Sequence, residues 1–411
     1  MREMKDSGVE WVGKILQTYN IKRLKYVFQI MDELRQPITA DKRNQNAETL
    51  YDYYGASGPI DKIDGYTIDD HVLLIGEDGA NLQLRNLPLV YEVRGKAWIN
   101  NHAHILKPGE ELCFRYAFHM LESLDINPYI TGSAQPKFNQ ESLRNLYVIV
   151  PPFSEQRRIA DFLDAKCSEI DALTADIQSQ IDTLEQYKRS VITEAVTKGL
   201  DPDAEMRDSG IPWIGKIPVH WECIRGKYIL KYLQKPVRED DGVITCFRDG
   251  EVTLRSNRRE DGFTVADKEI GYQGVDVGDL VVHGMDGFAG AMGISDSRGK
   301  ASPVLNVLET AQNKRYIMYF LRSMAYRDVF LAMATGIRVR SCDLRWNKLS
   351  ELFYPIPPLE EQEAIVAHID DVIEKANAVI ADKKAQLETL EEYKKSLIFE
   401  YVTGKKEVPV S

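Results

Sequence analysis

The chain has no long apolar run and few cysteines, and both absences limit what kind of protein it can be. None of its apolar stretches reaches the roughly 18 residues that a membrane-spanning helix needs. The first residues lack the apolar core of a secretory signal. The five cysteines include no Cys-x-x-Cys pair and no zinc-ligand spacing. We therefore expect a globular cytoplasmic protein whose thiols are reduced.

Motifs for catalysis and for cofactor binding are also missing. The chain has no glycine-rich phosphate-binding loop. The run Val150-Pro151-Pro152-Phe153 lacks the Asn or Asp that adenine methyltransferases place before Pro-Pro, and the second copy has Ile356 there. The pair His102-x-His104 could begin a metal site, but alternate strand residues share one face in any case, so a structural role is favoured. We predict that this chain supplies no catalytic residue, cofactor ligand or metal ligand.

The chain does contain a framework of sequence motifs that occurs twice. The pattern Asp-Ser-Gly-x-x-Trp-x-Gly-Lys-Ile ends the segment Met4–Ile15 and returns in Met206–Ile217. The pattern Pro-Pro-x-x-Glu-Gln at Pro151 returns at Pro357, and both copies close on Thr-Leu-Glu-x-Tyr-Lys-x-Ser. The segments between the matched parts share almost no sequence. Two inserts of nearly equal length but different sequence, held in one repeated framework, indicate a single protein that recognises two different targets.

Two long amphipathic helices are predicted after the Pro-Pro sites. The first covers 154–198, and the second runs from Pro358 to a stop before Gly404. Apolar residues recur every seven positions, with Leu173, Ile181 and Tyr187 assigned to the same seam of the first helix and Ile369, Ala376 and Leu397 to a companion row of the second. The seam residues are Leu163, Ile170, Ile177, Leu184, Val191, Val366, Ile373, Ile380, Leu387 and Leu390. The two helices either pack separately on their own domains or pair as an intramolecular coiled coil, and the narrow sustained seams favour pairing.

Each insert has a mixed α/β pattern, and the two share an order of elements. Strand-like segments cover 70–76 and 97–106 in the first insert, and 278–284 and 301–308 in the second. A helical patch follows in each, at 114–124 and 315–332, and then a Thr-Gly turn and a polar loop. We predict a common fold for the inserts. The segments along the chain are a first domain at 1–150, a helix at 151–200, a second domain at 201–356 and a second helix at 357–411.

The polar loops carry the side chains best suited to DNA. The net formal charge of −11 neither establishes nor excludes DNA binding, because acidic residues concentrate in the helices and basic ones persist in the second insert. Gln and Asn suit the edge of adenine, Arg suits that of guanine, and a basic cluster can hold phosphates. The candidates are Ser57, Ser133, Gln135, Lys137 and Asn139 in the first insert, and Arg255, Arg258, Arg259, Arg338, Arg340 and Arg345 in the second. Solvated turns are the alternative for any one of them.

With these motifs in order, the chain resembles the specificity subunit of type I restriction-modification enzymes. The doubled patterns carry the resemblance from end to end, and the segments Gly76–Ala80, Asn100–His104 and His283–Gly290 also resemble recognition-domain sequences of that family. One departure is Leu16 to Asn20, where the second copy has Pro-x-x-Trp ending at Trp221.

The resemblance implies an α+β architecture. Two α/β target-recognition domains are separated by two long antiparallel helices, in an intramolecular coiled coil with pseudo-twofold symmetry. Each domain would read one half of a bipartite site on double-stranded DNA.

The resemblance also implies partners. Two modification subunits would bring S-adenosylmethionine and methylate adenine, and two motor-nuclease restriction subunits would bring ATP and Mg²⁺. A non-enzymatic scaffold with two variable protein-binding domains is the rival reading. The discriminating property is sequence-dependent DNA binding with a partner.

Overall fold

The fold divides into two compact units, of which the first combines two separated stretches of chain and the second is one continuous stretch. The computed structural model describes residues 3–43, 48–132, 135–258, 270–333 and 344–409. Unit 1 combines Met1–Ile177 with Lys384–Ser411, and unit 2 is Gln178–Lys383. The predicted segments divide the chain at 150, 200 and 356, whereas contacts group part of each long helix with each unit.

The elements of unit 1 alternate short strands with short helices before the first long helix begins. They are β1 Met4–Asp6, β2 Lys14–Leu16, β3 Asn20–Arg23, β4 Phe28–Ile30, β5 Tyr51–Gly55, β6 Gly58–Ile63, β7 Ile68–Gly76, α1 Asn81–Leu84, β8 Val90–Ile99, β9 Ala103–Pro108, α2 Phe114–Glu122, α3 Gln140–Asn145, β10 Tyr147–Val150 and α4 Phe153–Lys198.

Unit 2 follows the same plan. Its elements are β11 Met206–Asp208, β12 Lys216–Pro218, β13 Glu222–Arg225, α5 Gly226–Ile229, β14 Leu230–Tyr232, β15 Ile244–Cys246, β16 Val252–Leu254, β17 Gln273–Val275, β18 Leu280–His283, β19 Met292–Ile294, β20 Gly299–Ala301, β21 Leu305–Thr310, α6 Lys314–Tyr326, α7 Val329–Ala332, α8 Trp346–Leu349, β22 Phe353–Ile356 and α9 Leu359–Val402.

Each insert forms its own sheet, and the two sheets have a common strand order despite the different sequences of the inserts. In unit 1 the six strands lie in the order β4-β9-β7-β8-β5-β6, and in unit 2 four strands lie in the order β14-β21-β18-β19. The order β4-β9-β7-β8 is antiparallel throughout, as is the four-stranded sheet of unit 2. Each unit also has a separate two-stranded ladder, β3 with β10 or β13 with β22, whose second strand is followed by a long helix.

The repeated Asp-Ser-Gly motif is a structural hairpin. Met4 pairs with Leu16 in β1–β2, and Met206 pairs with Pro218 in β11–β12. The Asp6 carboxylate accepts from the Gly8 N–H at 2.9 Å, and the second copy makes the same bond at 2.9 Å. Gly8 has φ +72°, a left-handed conformation that favours glycine, which explains why the motif keeps it. Tyr19 is 1% exposed, as buried as its counterpart Trp221 at 0%.

The two long helices run antiparallel within each unit. In unit 1 Lys394 of α9 donates to Asp171 of α4 at 2.5 Å, and Phe162 packs on Tyr401 with ring centroids 4.5 Å apart. In unit 2 Lys188 of α4 donates to Asn377 of α9 at 2.7 Å. The end of one helix therefore enters the same hydrophobic core as the start of the other, which confirms the paired arrangement.

The predicted seam divides into a buried set and a half-buried set. Leu163, Ile170, Ile177, Val366 and Ile380 are buried, and Leu184, Val191, Ile373, Leu387 and Leu390 are half-buried. The assignment of Leu173 and Tyr187 to this seam is wrong, since they are 47% and 52% exposed. The second buried row of α4 instead follows the first at four residues, through Cys167 and Ile181, as a heptad requires.

Two strand predictions need correction. The segment 97–106 is not one strand, because β8 ends at Ile99 and a turn leads into β9. Asn100 fixes that turn by accepting from the His102 N–H at 2.8 Å. The segment 301–308 is likewise broken, where Pro303 stands between β20 and β21. In the described part of the chain, no helix is both long and apolar enough to cross a membrane.

The glutamine of each Pro-Pro-x-x-Glu-Gln motif connects a long helix to the insert that precedes it. Gln156 is 0% exposed, its carbonyl accepts from the Cys113 N–H at 2.8 Å, and its amide donates to the carbonyls of Glu111 and Pro151 at 2.9 Å. Gln362, also 0% exposed, accepts from the Asn313 N–H at 2.9 Å and donates to the Pro357 carbonyl. The motif keeps glutamine because only an amide offers both a donor and an acceptor here.

A tyrosine of each insert makes a second connection. The Tyr116 hydroxyl donates to the Ile149 carbonyl at 3.1 Å and lies 3.5 Å from that of Val402. In unit 2 the Tyr316 hydroxyl reaches the carbonyls of Pro355 at 2.7 Å and Val196 at 3.3 Å. Each hydroxyl therefore bridges the closing strand of its insert and the last turn of the incoming helix.

We predict that Gln156→Ala weakens unit 1 and that Gln362→Ala weakens unit 2. Each change leaves a buried N–H and buried carbonyls without a partner, which costs about 1–3 kcal/mol. Hydrogen exchange followed by mass spectrometry would measure the loss of protection separately in each unit. Gln178→Ala, at an exposed position of α4, is the control and should change little. Equal effects of all three changes would contradict the prediction.

Candidate nucleic-acid interface

Four segments of unit 1 meet at one end of its six-stranded sheet. They are the β5–β6 turn at 55–58, the loop 77–80 after β7, the β8–β9 turn at 100–102 and the segment 135–139. The Glu77 N–H donates to the His102 carbonyl at 2.8 Å, and the Phe138 N–H donates to the Glu77 carbonyl at 2.7 Å. A Cβ on Gly76 would lie 2.5 Å from the Ala56 carbonyl oxygen, so the β5–β6 turn excludes a side chain there. We call this surface face 1.

A buried carboxylate holds face 1 together. Asp32 is 8% exposed and accepts from His104 Nδ1 at 2.7 Å, from the Ile105 N–H at 3.0 Å and from Gln140 at 2.9 Å. Burial raises the pKa of Asp32, but the hydrogen bond and charge of His104, the Ile105 N–H and nearby Arg35 outweigh burial and hold that pKa below its ordinary value. Asp32 therefore ties its own segment to β9 and to the start of α3, the elements that adjoin the face.

Arg35, which lies 3.5 Å from Asp32, takes part in a second ion pair. Arg35 donates to Glu77 at 2.5 Å, and Lys137 lies 3.3 Å from the other carboxylate oxygen of Glu77. Burial raises the pKa of Glu77, but its bond to Arg35 and the neighbouring charges lower that pKa overall. The cations of face 1 are thus oriented by carboxylates, which fixes their positions.

The candidate side chains of face 1 have different surroundings. Gln135 is exposed, Lys137 is 55% exposed and Ser57 is half-buried in the β5–β6 turn. The Asn139 carbonyl oxygen accepts from the Ser142 N–H at 2.9 Å and caps α3. Reading adenine uses both the carbonyl oxygen and the amide NH2 group of asparagine, and the cap engages that oxygen within the protein, so the role of Asn139 as a base reader stays a prediction. Ser133 lies outside the described residues.

Unit 2 has a corresponding surface at the equivalent end of its sheet. We call this surface, which includes the loop 284–290 and the segment that begins at Leu344, face 2. The loop 284–290 follows β18 as the loop 77–80 follows β7, and the Leu344 N–H donates to the Gly284 carbonyl at 2.8 Å. The buried Asn306 amide donates to the carbonyls of Val282 and Leu344, both at 3.1 Å. Asn306 therefore joins β18 and β21 to the segment that precedes α8.

His283 fixes the start of that loop. Its Nδ1 accepts from the backbone N–H groups of Met285 at 3.2 Å and Asp286 at 2.9 Å. Burial lowers the pKa of His283; Asp286 opposes this effect and Arg248 adds to it, and the net result is a pKa below the ordinary value. A neutral imidazole is the form that can accept these bonds.

The basic candidates of unit 2 are partly engaged within the protein. Arg258 pairs with Asp249 at 2.5 Å and Glu251 at 3.0 Å, and its guanidinium lies 4.3 Å from the Phe247 ring. Two carboxylates thus hold the Arg258 guanidinium within the protein, and its role as a phosphate ligand stays a prediction. Arg255 donates to the Thr245 hydroxyl at 3.3 Å, and Arg345 is exposed at the start of α8. Arg259, Arg338 and Arg340 lie outside the described residues.

Sequence reasoning missed Arg248. It lies in the β15–β16 turn, its side chain is 59% exposed, and it donates to Asp286 of the loop after β18 at 3.0 Å. The available signal was the Asp249-Gly250 pair that follows it, which is typical of a hairpin turn. This turn brings a cation to face 2 from a strand pair that the sequence pattern did not reveal.

The histidines of the first insert point to structural roles. His102 lies in the β8–β9 turn with its Nδ1 2.7 Å from Asp78, while both ring nitrogens of the buried His104 face oxygen acceptors, Asp32 and the Phe138 carbonyl. The two side chains do not share a site. Among the residues that the structure describes, no cluster of three or more His, Cys, Asp or Glu is arranged to hold a metal ion.

Comparisons with known proteins agree with this architecture. Residues 17–183 match the family model of the type I restriction modification DNA specificity domain. A type I restriction enzyme specificity subunit of Haemophilus influenzae is 31% identical over 42% of this chain, and the match spans 40% of that relative. The MjaX specificity subunit of Methanocaldococcus jannaschii is 24% identical, over 96% of this chain and 95% of its own length.

A solved structure shares the fold. It comes from work on complex assembly and conformational transition of the type I R-M system, has 16% sequence identity and a TM-score of 0.63, and the likeness covers 95% of this chain and 99% of that one. The fold and the two faces define a class of protein that has two mixed helix-and-sheet domains of common topology, joined by an antiparallel pair of helices. Over nearly its whole length the chain is therefore similar to type I restriction enzyme specificity subunits.

We predict that Asp32→Asn destabilises unit 1 by about 2 kcal/mol at neutral pH, the size of a buried hydrogen bond to a charged group. The pKa of Asp32 in the fold lies below its ordinary 3.8, so its contribution is complete above pH 3.8 and is lost as pH falls through the lower folded pKa. The difference between wild type and variant, measured by urea unfolding, should therefore shrink below pH 3.8. Asp52→Asn, in an exposed pair with Lys62, is the control. A difference that persists unchanged in acid would show that charge is not involved.

Proposed function

We propose that this chain is the DNA-reading subunit of a type I restriction-modification complex. Face 1 and face 2 each read one half of a bipartite site on double-stranded DNA. The proposal rests on one observation. The two units have sheets of the same strand order, and each sheet carries loops of unrelated sequence at its equivalent end. Because the loops differ, the two half-sites differ and the site is asymmetric.

The partners supply the chemistry in this proposal. Two modification subunits bind S-adenosylmethionine and methylate an adenine in each half-site, and two restriction subunits use ATP and Mg²⁺ to move and cut DNA. This chain contributes no catalytic group and no cofactor site. Its part is to fix where the partners act, by contacts to base edges and phosphates. Gln135, Lys137, Arg248 and Arg345 are the described side chains best placed for those contacts, and Arg338 and Arg340 are sequence-based candidates in the second half-site.

The decisive experiment is co-expression with the modification subunit encoded beside this chain, followed by mapping of adenine methylation across the host genome. We expect a split, asymmetric motif that disappears when this chain is omitted. An assembled complex with bound cofactor that adds no methylation would overturn the proposal and favour the protein-binding scaffold.

A chimera provides the matched control. Asn20–Val150 corresponds to Glu222–Ile356, and the anchors Gln156 and Gln362 lie outside both segments. Replacing the second segment with the first puts the same insert in both units. The methylated motif should then become an inverted repeat of the first half-site. A motif that keeps the original second half-site would contradict the assignment of face 2.

The helix pair should set the gap between the half-sites. Lys383 contacts Gln180 across the pair in unit 2, so 177–183 and 380–386 are facing heptads. Deleting both shortens each helix by about 10 Å at 1.5 Å per residue and keeps the heptad phase. We expect the spacer of the methylated motif to shorten, or methylation to be abolished, with both half-sites unchanged. An altered half-site beside an intact spacer would refute this role of the helices.

A further inference from the structure

Exposed apolar side chains recur at equivalent positions of the two copies. Such residues are ordinary when single, but here the shift between copies, 202 or 206 residues, maps one set onto the other. The matched pairs are Tyr26 with Tyr228, Phe153 with Leu359, Leu173 with Val379, and Tyr187 with Tyr393. The first pair is the most exposed, at 71% and 74%. Because it lies within otherwise divergent inserts, it calls for an explanation beyond the framework.

Each of these tyrosines belongs to a small basic and aromatic cluster. In unit 1 Lys25 Nζ lies 5.3 Å from the centre of the Tyr26 ring, and the Arg23 guanidinium lies 5.6 Å from that of Tyr147. Asn145 accepts from Arg23 at 3.0 Å and from Lys25 at 3.5 Å. We call these five residues the Tyr26 surface.

Unit 2 repeats the arrangement with different residue types in two places. Lys227 lies 5.5 Å from the Tyr228 ring centre, and Arg225 lies 5.1 Å from that of Phe353. Glu351 stands where unit 1 has Asn145 and accepts from both cations, at 3.0 and 3.1 Å. These five residues form the Tyr228 surface. Both surfaces keep two cations and an exposed tyrosine although their neighbours have changed.

The position of the two surfaces separates them from the recognition loops. Face 1 adjoins the start of β9 at Ala103, whereas β4, which follows Tyr26, begins opposite Pro108 at the other end of β9. In unit 2 face 2 adjoins Leu305, and β14, which follows Tyr228, begins opposite Thr310. Five residues of strand span about 16 Å. Both surfaces therefore lie at the sheet end opposite the loops that differ.

These observations favour a protein ligand over DNA. Tyrosine and arginine are enriched at the centres of protein interfaces, where a rigid ring gains contact area at little entropic cost. Cations already held by Asn145 or Glu351 are oriented before binding and suit carboxylates on a partner. A surface kept in two domains that read different bases has to serve something common to both.

We propose that the Tyr26 and Tyr228 surfaces are two equivalent docking sites for two copies of one protein partner. Each copy places an acidic surface with a shallow apolar socket over the exposed tyrosine. On the proposed function, from which this inference takes its partner, that protein is the modification subunit. The tyrosine fills the socket, and Arg23 and Lys25, or Arg225 and Lys227, pair with carboxylates at its rim.

The test counts partner copies on the full-length chain by native mass spectrometry and measures affinity by titration of labelled modification subunit. The variant Lys25→Glu with Tyr26→Ala should retain one copy, as should Lys227→Glu with Tyr228→Ala. Combining all four changes should weaken binding at least tenfold at both sites. Tyr26→Ala with Tyr228→Ala, without charge reversal, gives a milder variant in case the reversals disturb folding.

The control is Leu84→Ala with Val277→Ala, which removes apolar side chains of similar exposure, 63% and 66%, at non-equivalent positions. It should bind two copies normally. If the variant with all four substitutions has a wild-type melting temperature and still binds two copies of the partner at full affinity, the inference is overturned. It is also overturned if only DNA binding falls, because the surfaces would then be phosphate contacts. Failure of the wild-type chain to assemble with the modification subunit would instead overturn the proposed function.

Discussion

The antiparallel pairing of the two long helices is the constraint on which both units depend. Unit 1 combines two separated stretches of chain and unit 2 is one continuous stretch, but each unit includes the last turns of the long helix that begins in the other. Tyr116 reaches toward the carbonyl of Val402, and Tyr316 bonds that of Val196, so a recognition insert is closed by residues far away in sequence. Both long helices therefore contribute to the packing of both units.

Because the framework carries the packing, the loops are free to differ. Gln156 and Gln362 join insert to helix through backbone groups, which every sequence provides. Face 1 is held by the Asp32 and His104 pair, and face 2 by Asn306 and His283, so two unrelated polar networks support the same arrangement of strands. Such a scaffold can change its loops without losing its core.

Much of this architecture could be predicted from the sequence, and the failures have identifiable causes. The helices observed at Phe153–Lys198 and Leu359–Val402 follow from uninterrupted heptads between Pro-Pro and glycine. The break at Asn100 was missed because a short polar turn inside an apolar run leaves the alternation intact. Leu173 and Tyr187 were misplaced because seven-residue spacing alone does not tell a seam position from its flank. Asn139 and Arg258 have the residue types of DNA readers, and only their neighbours reveal a helix cap and an ion pair.

The sequence by itself determined the doubling, the helices and the kinship of the inserts, because repetition and periodicity are properties of order along the chain. Tertiary structure decided which half of each helix completes which core, and that both sets of variable loops gather at the same end of a sheet. It also decided that Tyr26 and Tyr228 face solvent at the opposite end. These are relations between residues far apart in sequence, and they exist only once the antiparallel strands and helices have been paired.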